Sequence, residues 1–262
     1  MIIDKSDLLF AGCADAKDIK SLKSLWREAF GDSEDFIDGF FKNAFSPLRC
    51  RAVKDKESVV AALYIFDCYA GKQKIAYIYA VATRKSHRGK GICRYLMNDT
   101  HDYLSSMGYT ASVLVPGDKT LFDFYEKMGY SVCSEVSVIH TEASKDSVKL
   151  ARIDKCEYAD ARRKLLPANG VIQENENLDF LETYTSFYKG EGCVLAAHKQ
   201  GEHLICDELL GDASVAPKIV AALGAKRGSF RIQPVENAVP FAMAFPLNQN
   251  KIQKIYFGLA FD

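Results

Sequence analysis

The sequence lacks the paired cysteines and histidines that bind structural metal ions. Its eight cysteines and five histidines include no Cys-x-x-Cys and no His-x-x-x-His pair. A structural zinc site usually needs such pairs, so no metal site is predicted. Most of the cysteines stand within apolar segments, which predicts buried free thiols.

Neither a net charge nor a long apolar run is present. Lysine plus arginine and aspartate plus glutamate number 34 each, so no general attraction to nucleic acid or to an anionic membrane is expected. No apolar run approaches the roughly 20 residues that span a bilayer, and residues 1–7 contain no signal-peptide core. We therefore expect a cytoplasmic protein without a nucleic-acid or membrane partner, whose oligomeric state stays open.

The two best-known phosphate-binding motifs are absent as well. The chain has no Gly-x-x-x-x-Gly-Lys-Ser/Thr segment, and the dinucleotide motif fails because Arg94 stands where its third glycine is required. What is present is a basic, glycine-containing segment at residues 84–92 (RKSHRGKGI). The preceding residues 75–82 are apolar, β-branched and aromatic, which predicts a strand. The following residues have apolar side chains at helical spacing up to Gly108, which predict a helix.

This order of strand, basic loop and helix predicts a phosphate or pyrophosphate site. A helix begins with backbone N–H groups that have no partner and with a partial positive charge. Gly89 and Gly91 let the backbone turn tightly and approach a ligand without a Cβ. Arg84, Arg88 and Lys90 add full positive charges, so the loop is suited to an anion.

The rest of the chain alternates between predicted strands and helices. In the first half we expect strands over residues 8–12, 49–54, 59–68, 74–83 and 109–115, helices over residues 19–30, 33–45 and 118–128, and a closing hairpin over residues 132–140. In the second half we expect helices over residues 151–165 and 215–223, a strand-turn-strand unit over residues 193–203, and strands over residues 230–233, 239–246 and 255–261.

Two segments resemble motifs of the GNAT (Gcn5-related) N-acetyltransferases. The HRGKG turn at residues 87–91 resembles the family's pyrophosphate loop, usually written Arg/Gln-x-x-Gly-x-Gly/Ala, in its Arg-Gly-Lys-Gly variant. The segment LFDFYEKMGY at residues 121–130 resembles the family's LYEKxGF segment. The resemblance extends from the N-terminus to His140. It implies an α/β fold (α+β, with a mixed sheet), in which residues 1–140 form a catalytic GNAT domain that binds acetyl-CoA.

The second half is similar in pattern to the first and predicts a degenerate GNAT-like domain over residues 147–262. A polar linker at residues 141–146 separates the two. Where a second phosphate loop would fall, residues 208–212 (ELLGD) contain two carboxylates and no arginine. We expect Glu208 and Asp212 to repel an anion there. This domain either covers the first sheet or forms a wall of the acceptor pocket, because ligand sites favour domain interfaces.

The resemblance also implies roles for single residues. Main-chain groups of Val81, Ala82 and Thr83 would pair with the pantetheine arm of the donor as an added strand. Backbone N–H groups of the five residues Arg88, Gly89, Lys90, Gly91 and Ile92 would bind the pyrophosphate. An N–H group near Val81 would stabilise the thioester oxygen. Tyr125, on the second motif, would protonate the leaving thiolate.

The general base is not identified by the resemblance. Many family members carry a glutamate on the strand before the loop, where this chain has Tyr77 and Tyr79. A water chain, Glu135 or the C-terminal carboxylate of Asp262 remain as candidates, and Asp262 is the residue that we predict. Cys93, at the start of the predicted helix, is expected to have a lowered thiol pKa, although this chemistry needs no protein thiol.

The predicted function is acetyl-CoA-dependent transfer of an acetyl group to a primary amine of a small molecule or peptide. The transfer is expected to be direct, with no covalent enzyme intermediate and no metal ion. Two alternatives stay open. The chain is either an inactive CoA-binding sensor or scaffold, as the missing glutamate favours, or an acyltransferase whose donor is linked to a carrier.

Overall fold

The structure is a computed structural model that describes residues 9–248 and 253–261. The helices are α1 (Ile19–Phe30), α2 (Glu34–Asn43), α3 (Ile92–Ser106), α4 (Lys119–Glu126), α5 (Lys155–Leu165), α6 (Glu176–Leu181) and α7 (Ala216–Ala222). The strands are β1 (Phe10–Cys13), β2 (Cys50–Asp55), β3 (Ser58–Ala70), β4 (Gln73–Thr83), β5 (Ala111–Leu114), β6 (Ser131–Glu142), β7 (Ala151–Ile153), β8 (Val171–Gln173), β9 (Ser186–Gly190), β10 (Cys193–Gln200), β11 (His203–Gly211), β12 (Arg227–Ile232) and β13 (Val239–Pro246).

The helix ends follow from capping residues that the sequence displays. Gly31 takes the left-handed conformation (φ 76°) directly after α1, and Ser33 accepts a hydrogen bond from the N–H of Phe36 at the start of α2. Asp118 accepts hydrogen bonds from the N–H groups of Thr120 and Leu121 and so caps α4. These caps satisfy backbone groups that a helix end leaves without partners. The predicted helices and strands of the first half are confirmed to within a few residues, apart from the closing hairpin and from Leu8, which lies outside the described residues.

The strands form one mixed sheet with the order β1-β2-β3-β4-β5-β13-β6-β12-β11-β10-β9-β7, while β8 pairs with β3. Most neighbours are antiparallel, whereas β4–β5 and β11–β12 are parallel. The predicted α/β class with a mixed sheet is therefore confirmed. No helix in the described part of the chain is both long and apolar enough to cross a lipid bilayer.

The closing hairpin predicted for residues 132–140 is wrong, because β6 is a single strand of 12 residues. It contains no glycine or proline at which a turn would form. Residues 131–136 of β6 pair with β13, and residues 137–142 pair with β12. One strand thus belongs to the sheet of both halves.

Strand β13 places part of the second half inside the sheet of the first. It lies between β5 and β6, with Met243 opposite Leu114 of β5 and Val132 of β6. The predicted boundary between residues 140 and 147 falls around the end of β6, and it stays a prediction. One side of the site on the first sheet is consequently formed by β13, a strand from the second half of the sequence.

The chain near its C-terminal end was predicted to form a strand over residues 255–261, and this is wrong. Within the described residues 253–261, the only ladder contact is the bridge between Tyr256 and Gly170. The segment is irregular but buried, and Phe257, Leu259 and Ala260 are fully enclosed. Its polar backbone groups find scattered partners, such as Ser134 Oγ for the Phe257 N–H (2.9 Å). The backbone hydrogen-bonding groups of this buried segment are therefore satisfied by several separate segments and not by one neighbouring strand.

Candidate active site

The loop between β4 and α3 has the open backbone that the sequence predicts. Gly89 and Gly91 have φ angles of 73° and 78°, in the left-handed region that favours glycine. A Cβ at either position would meet no described atom within 4 Å. Side chains at these positions would therefore extend into the space where a ligand has to approach.

The first turn of α3 offers unpaired N–H groups beside this loop. The helix begins at Ile92 after Gly91, and no side chain of the described residues caps it. Arg88 and Lys90 are exposed on the loop, and Arg88 Nε donates to the Thr83 carbonyl (3.0 Å). Free N–H groups, a helix N-terminus and two cations suit a phosphate. The backbone of residues 88–92 thus fits a pyrophosphate, although this binding role stays a prediction.

Arg84 has a different role from the one expected. Its guanidinium donates to the Val59 carbonyl (2.8 Å) and to Glu28 Oε2 (2.9 Å). Glu28 also accepts the backbone N–H of Lys85 (2.7 Å), and this bond, followed by Arg84, holds the pKa of Glu28 below its ordinary value. Arg84 therefore fastens the loop to α1, and its charge is compensated by Glu28 rather than available to a ligand.

Strands β4 and β5 separate beside the loop. Their parallel pairing is confined to Ile75–Tyr77 of β4 and Ala111–Val113 of β5. Beyond it, β4 contains a bulge, in which Ala80 (φ 48°) and Val81 together face Leu63 of β3. Bulges redirect backbone groups near active sites. The bulge was not predicted, since a positive φ at alanine has no sequence signal.

The predicted pantetheine-binding residues follow this bulge. Ala82 and Thr83 pair with Ala62 and Ala61 of β3 on one side of β4. The edge of β4 that faces away from β3 has no β5 partner at these residues, because β5 pairing stops at Tyr77. Such an edge has the hydrogen-bonding pattern that an extended ligand can add to, and the role of Val81, Ala82 and Thr83 stays a prediction.

A cavity of about 480 Å³ opens where the two strands separate. Its lining includes residues 78–81 of β4 and residues 114–117 at the end of β5 and after it, together with residues of α4. The α1–α2 region contributes Trp26, Phe30, Asp32 and Phe36, and the second half contributes Pro240, Phe241 and Phe261. The cavity is therefore bounded by both halves of the chain and is mainly aromatic and apolar.

Tyr125 lies in the wall of this cavity. It is on α4, packs beside Tyr130 (ring centroids 5.7 Å apart) and is 7% exposed. Burial, followed by the neighbouring Cys93, raises the pKa of the phenol well above its usual range. The phenol is thus neutral at every pH at which tyrosines are normally protonated.

Cys93 differs from the expectation of a lowered thiol pKa. Burial raises its pKa to about 11, and nearby Arg94 offsets only part of this effect. Desolvation of the thiolate raises the pKa of Cys93 more than the helix N-terminus lowers it. Cys93 is therefore a protonated side chain beside Tyr125 and not an activated nucleophile.

The candidates for the general base do not all lie where the sequence led us to expect them. Glu135 does not line the cavity; it pairs with Lys254 Nζ (3.2 Å) on another surface. Tyr77 and Tyr79 do line the cavity. Asp262 lies outside the described residues. Asp32, in the link between α1 and α2, is the carboxylate that the described lining contains.

The expected repulsion of an anion by Glu208 is wrong. Glu208 lies within β11, is fully buried, and pairs with Arg162 of α5 (Nε–Oε2 2.6 Å). Asp212 caps the turn after β11 by accepting the Ser214 N–H (2.9 Å). The Ser214 hydroxyl and then its N–H lower the pKa of Asp212. The second half has no equivalent of the glycine loop because β11 passes through Gly211 directly into this capped turn.

Comparison with known proteins agrees with this geometry. The family model described as an acetyltransferase (GNAT) domain matches residues 13–133. A GCN5-related N-acetyltransferase from Anabaena variabilis superposes with a TM-score of 0.68 at 17% identity, covering 92% of this chain and 73% of that one. One from Kribbella flavida gives 0.67 at 17% identity, covering 91% and 71%. A tandem GNAT protein of the clavulanic acid biosynthesis pathway gives 0.57 at 10% identity, covering 93% and all of that chain. No curated protein matches the chain.

The fold and the matched domain define an acyltransferase of the GNAT type with a two-domain GNAT arrangement. Residues 13–133 are the part of the chain that is similar to the GNAT superfamily.

Proposed function

We propose that this protein transfers the acetyl group of acetyl-CoA directly to a primary amine of a small molecule or peptide. One observation carries the proposal. The separated edge of β4 and the Tyr125 side chain border a single cavity, and the open glycine loop follows the same strand. A donor held by the loop thus has its reactive end near a proton donor.

The chain would hold the donor through its backbone. The N–H groups of residues 88–92 suit the pyrophosphate, and Arg88 and Lys90 add charge. Val81, Ala82 and Thr83 suit the pantetheine amides, as a strand would. Acetyl-CoA supplies the thioester. The bulge at Ala80 turns the neighbouring N–H of Val81 out of the regular ladder, which supports its use toward the thioester oxygen.

Tyr125 would protonate the departing thiolate. In water a phenol has a pKa near 10 and a thiol near 8.5, so this transfer is uphill by roughly 2 kcal/mol. Burial raises the pKa of the phenol further, but it also destabilises the thiolate in the same cavity. Proton donation by Tyr125 therefore requires that the site desolvates both the phenol and the thiolate, as its apolar lining favours.

The second half would form part of the acceptor pocket. Phe241 is the third residue of β13, and Phe261 belongs to the buried irregular segment; both line the cavity. Phe261 packs on Tyr79 (ring centroids 5.5 Å apart). We include residues 147–262 in the active unit for this reason, and Asp262 remains our candidate for accepting the amine proton.

Calorimetric titration of acetyl-CoA tests the proposal. The native chain is compared with a Gly89→Glu/Gly91→Glu variant, in which carboxylates enter the open loop and repel pyrophosphate. Gly192→Glu/Gly201→Glu is the matched control, because both of those glycines also have positive φ angles and open surroundings. We expect micromolar binding by the native chain and the control, and none by the loop variant. Binding that the loop variant retains would contradict the site.

The alternatives give different results in the same assays. Acetyl-CoA binding without turnover of any amine in a broad panel would identify a sensor or scaffold. Failure of free CoA to bind would point to a carrier-linked donor. Turnover of an amine together with loop-dependent binding supports the transferase.

A further inference from the structure

Asp32 lines the cavity and is held there by a hydrogen bond from Trp26. It occupies the short link between α1 and α2, after Gly31 in its left-handed conformation and before the capping residue Ser33. The indole Nε1 of Trp26 donates to Asp32 Oδ2 (2.7 Å). Trp26 itself is 2% exposed and packs on Tyr64 and Tyr79. A carboxylate oxygen is thus fixed by a buried ring while the group still lines the cavity.

The charge of Asp32 is isolated within this cavity. Among the described lining residues there is no lysine, arginine or histidine and no second carboxylate. The others are apolar or aromatic, apart from backbone groups and tyrosine hydroxyls. A carboxylate in apolar surroundings attracts a cation more strongly than one in water, because the effective dielectric constant is lower.

Aromatic side chains line the same cavity as this carboxylate. Trp26, Phe30 and Phe36 come from the helices on either side of Asp32, Tyr79 comes from β4, and Phe261 comes from the buried irregular segment. Aromatic faces attract cations and also bury apolar surface. The lining is therefore complementary to a ligand with one positive charge and an apolar body.

We propose that the acceptor is a monocationic amine with an aromatic or branched apolar body, whose ammonium group Asp32 binds. This inference rests on the proposed acetyl transfer, since it names the substrate class for the same cavity. A polycation is disfavoured because, apart from Asp32 and the Asp262 group proposed to accept the amine proton, the described lining offers no carboxylate for its further charges. An acceptor with its own carboxylate is disfavoured because Asp32 repels it.

Asp32→Asn is the informative variant. The amide retains an oxygen that accepts the Trp26 indole hydrogen bond, so the link between α1 and α2 keeps its support while the charge is removed. Asp35→Asn is the matched control, because Asp35 is an exposed carboxylate in the first turn of α2. Equal thermal midpoints for both variants and the native chain would verify folding.

Binding is measured by calorimetry with 2-phenylethylamine, its neutral analogue 2-phenylethanol, spermidine and glutamate, with and without CoA. We expect 2-phenylethylamine to bind best. Asp32→Asn should weaken its binding by about tenfold to hundredfold, as for loss of a charged hydrogen bond, and leave 2-phenylethanol unchanged. In turnover, the same variant should raise KM by a similar factor and change kcat little. Asp35→Asn should behave as the native chain.

Tighter binding of spermidine or glutamate, or equal binding of 2-phenylethylamine by the native chain and Asp32→Asn, would overturn the inference. Failure of the transferase proposal is recognised separately. In that case acetyl-CoA does not bind or turn over, while Asp32-dependent binding of 2-phenylethylamine without CoA would still support the amine site.

Discussion

His101 of α3 stacks on Phe245 of β13, with ring centroids 4.1 Å apart and planes inclined by 10°. His101 Nε2 is also 2.8 Å from the Tyr130 hydroxyl and 3.2 Å from Ser112 Oγ. The helix that follows the glycine loop is therefore joined to a strand from the far end of the chain. Burial lowers the pKa of His101 to about 4.

This pKa predicts a stability that depends on pH. The folded state keeps His101 neutral, while the unfolded chain protonates near the ordinary value of about 6.5. Between pH 4 and about 6.5 the unfolded state binds more protons than the folded state. The contribution of neutral His101 to stability is therefore complete above about pH 6.5 and is lost as the pH falls toward 4. The contribution is about 3 kcal/mol at most. Urea unfolding of His101→Gln at pH 4.5 and 7 should show a smaller difference than the native chain.

The control for this prediction is His140→Gln. His140 is exposed on β6 and contacts Ser229 (2.9 Å), so the variant should keep the native pH dependence. Equal pH dependence in His101→Gln and the native chain would show that another group titrates.

The buried pair of Arg162 and Glu208 should be sensitive to the loss of one partner. Both side chains are almost completely enclosed, and Arg162 also donates to the Val171 carbonyl (2.8 Å). Glu208→Gln leaves an uncompensated buried cation, so we expect the free energy of unfolding to fall by about 3–5 kcal/mol. The double variant Arg162→Met/Glu208→Met should be more stable than Glu208→Gln. Denaturant titration measures both.

An exposed pair provides the comparison. Lys226 and Glu202 lie 2.6 Å apart but are about three-quarters and two-thirds exposed. Glu202→Gln should change stability by less than about 1 kcal/mol. A similar loss in Glu202→Gln and Glu208→Gln would contradict the assigned effect of burial.

Tyr125→Phe should separate chemistry from donor binding. The ring still packs beside Tyr130, while the proton donor is lost, so we expect kcat to fall by about 100-fold or more at an unchanged Kd for acetyl-CoA. Because burial raises the pKa of this phenol, the native rate should not decline near pH 10, where an ordinary tyrosine ionises. Tyr95→Phe, on an exposed part of α3, serves as the control. An unaltered kcat in Tyr125→Phe would remove the acid role.

The role predicted for Asp262 requires a narrow deletion. Phe261 is 4% exposed and packs on Phe66 (ring centroids 4.7 Å apart), so its removal would cost about 3–5 kcal/mol in stability. Deleting Asp262 alone avoids this effect. We expect turnover to collapse with acetyl-CoA affinity intact. Native turnover in the deletion variant would refute the assignment, and Asp262→Asn tests the side-chain carboxylate by itself.

Local features of the first half were predictable because they depend on neighbours in the sequence. Gly31, Ser33 and Asp118 act on backbone groups within a few residues of themselves. The loop at Gly89 and Gly91 likewise follows from glycine conformations and from a helix start, both of which are short-range properties. The sequence by itself therefore determined the order of strand, loop and helix and the position of the open glycine loop.

The tertiary structure decided which distant groups meet. Glu208 finds its counter-charge in Arg162, far away along the chain, and the charge pattern around residue 208 contains no sign of it. Likewise, no local pattern marks Asp32 as a cavity carboxylate, because the cavity exists only once residues of β13 and Phe261 lie beside those of β4. Hydrophobic burial and strand pairing act between residues at any separation along the chain. The residues that they bring together are therefore not identified by any local sequence pattern.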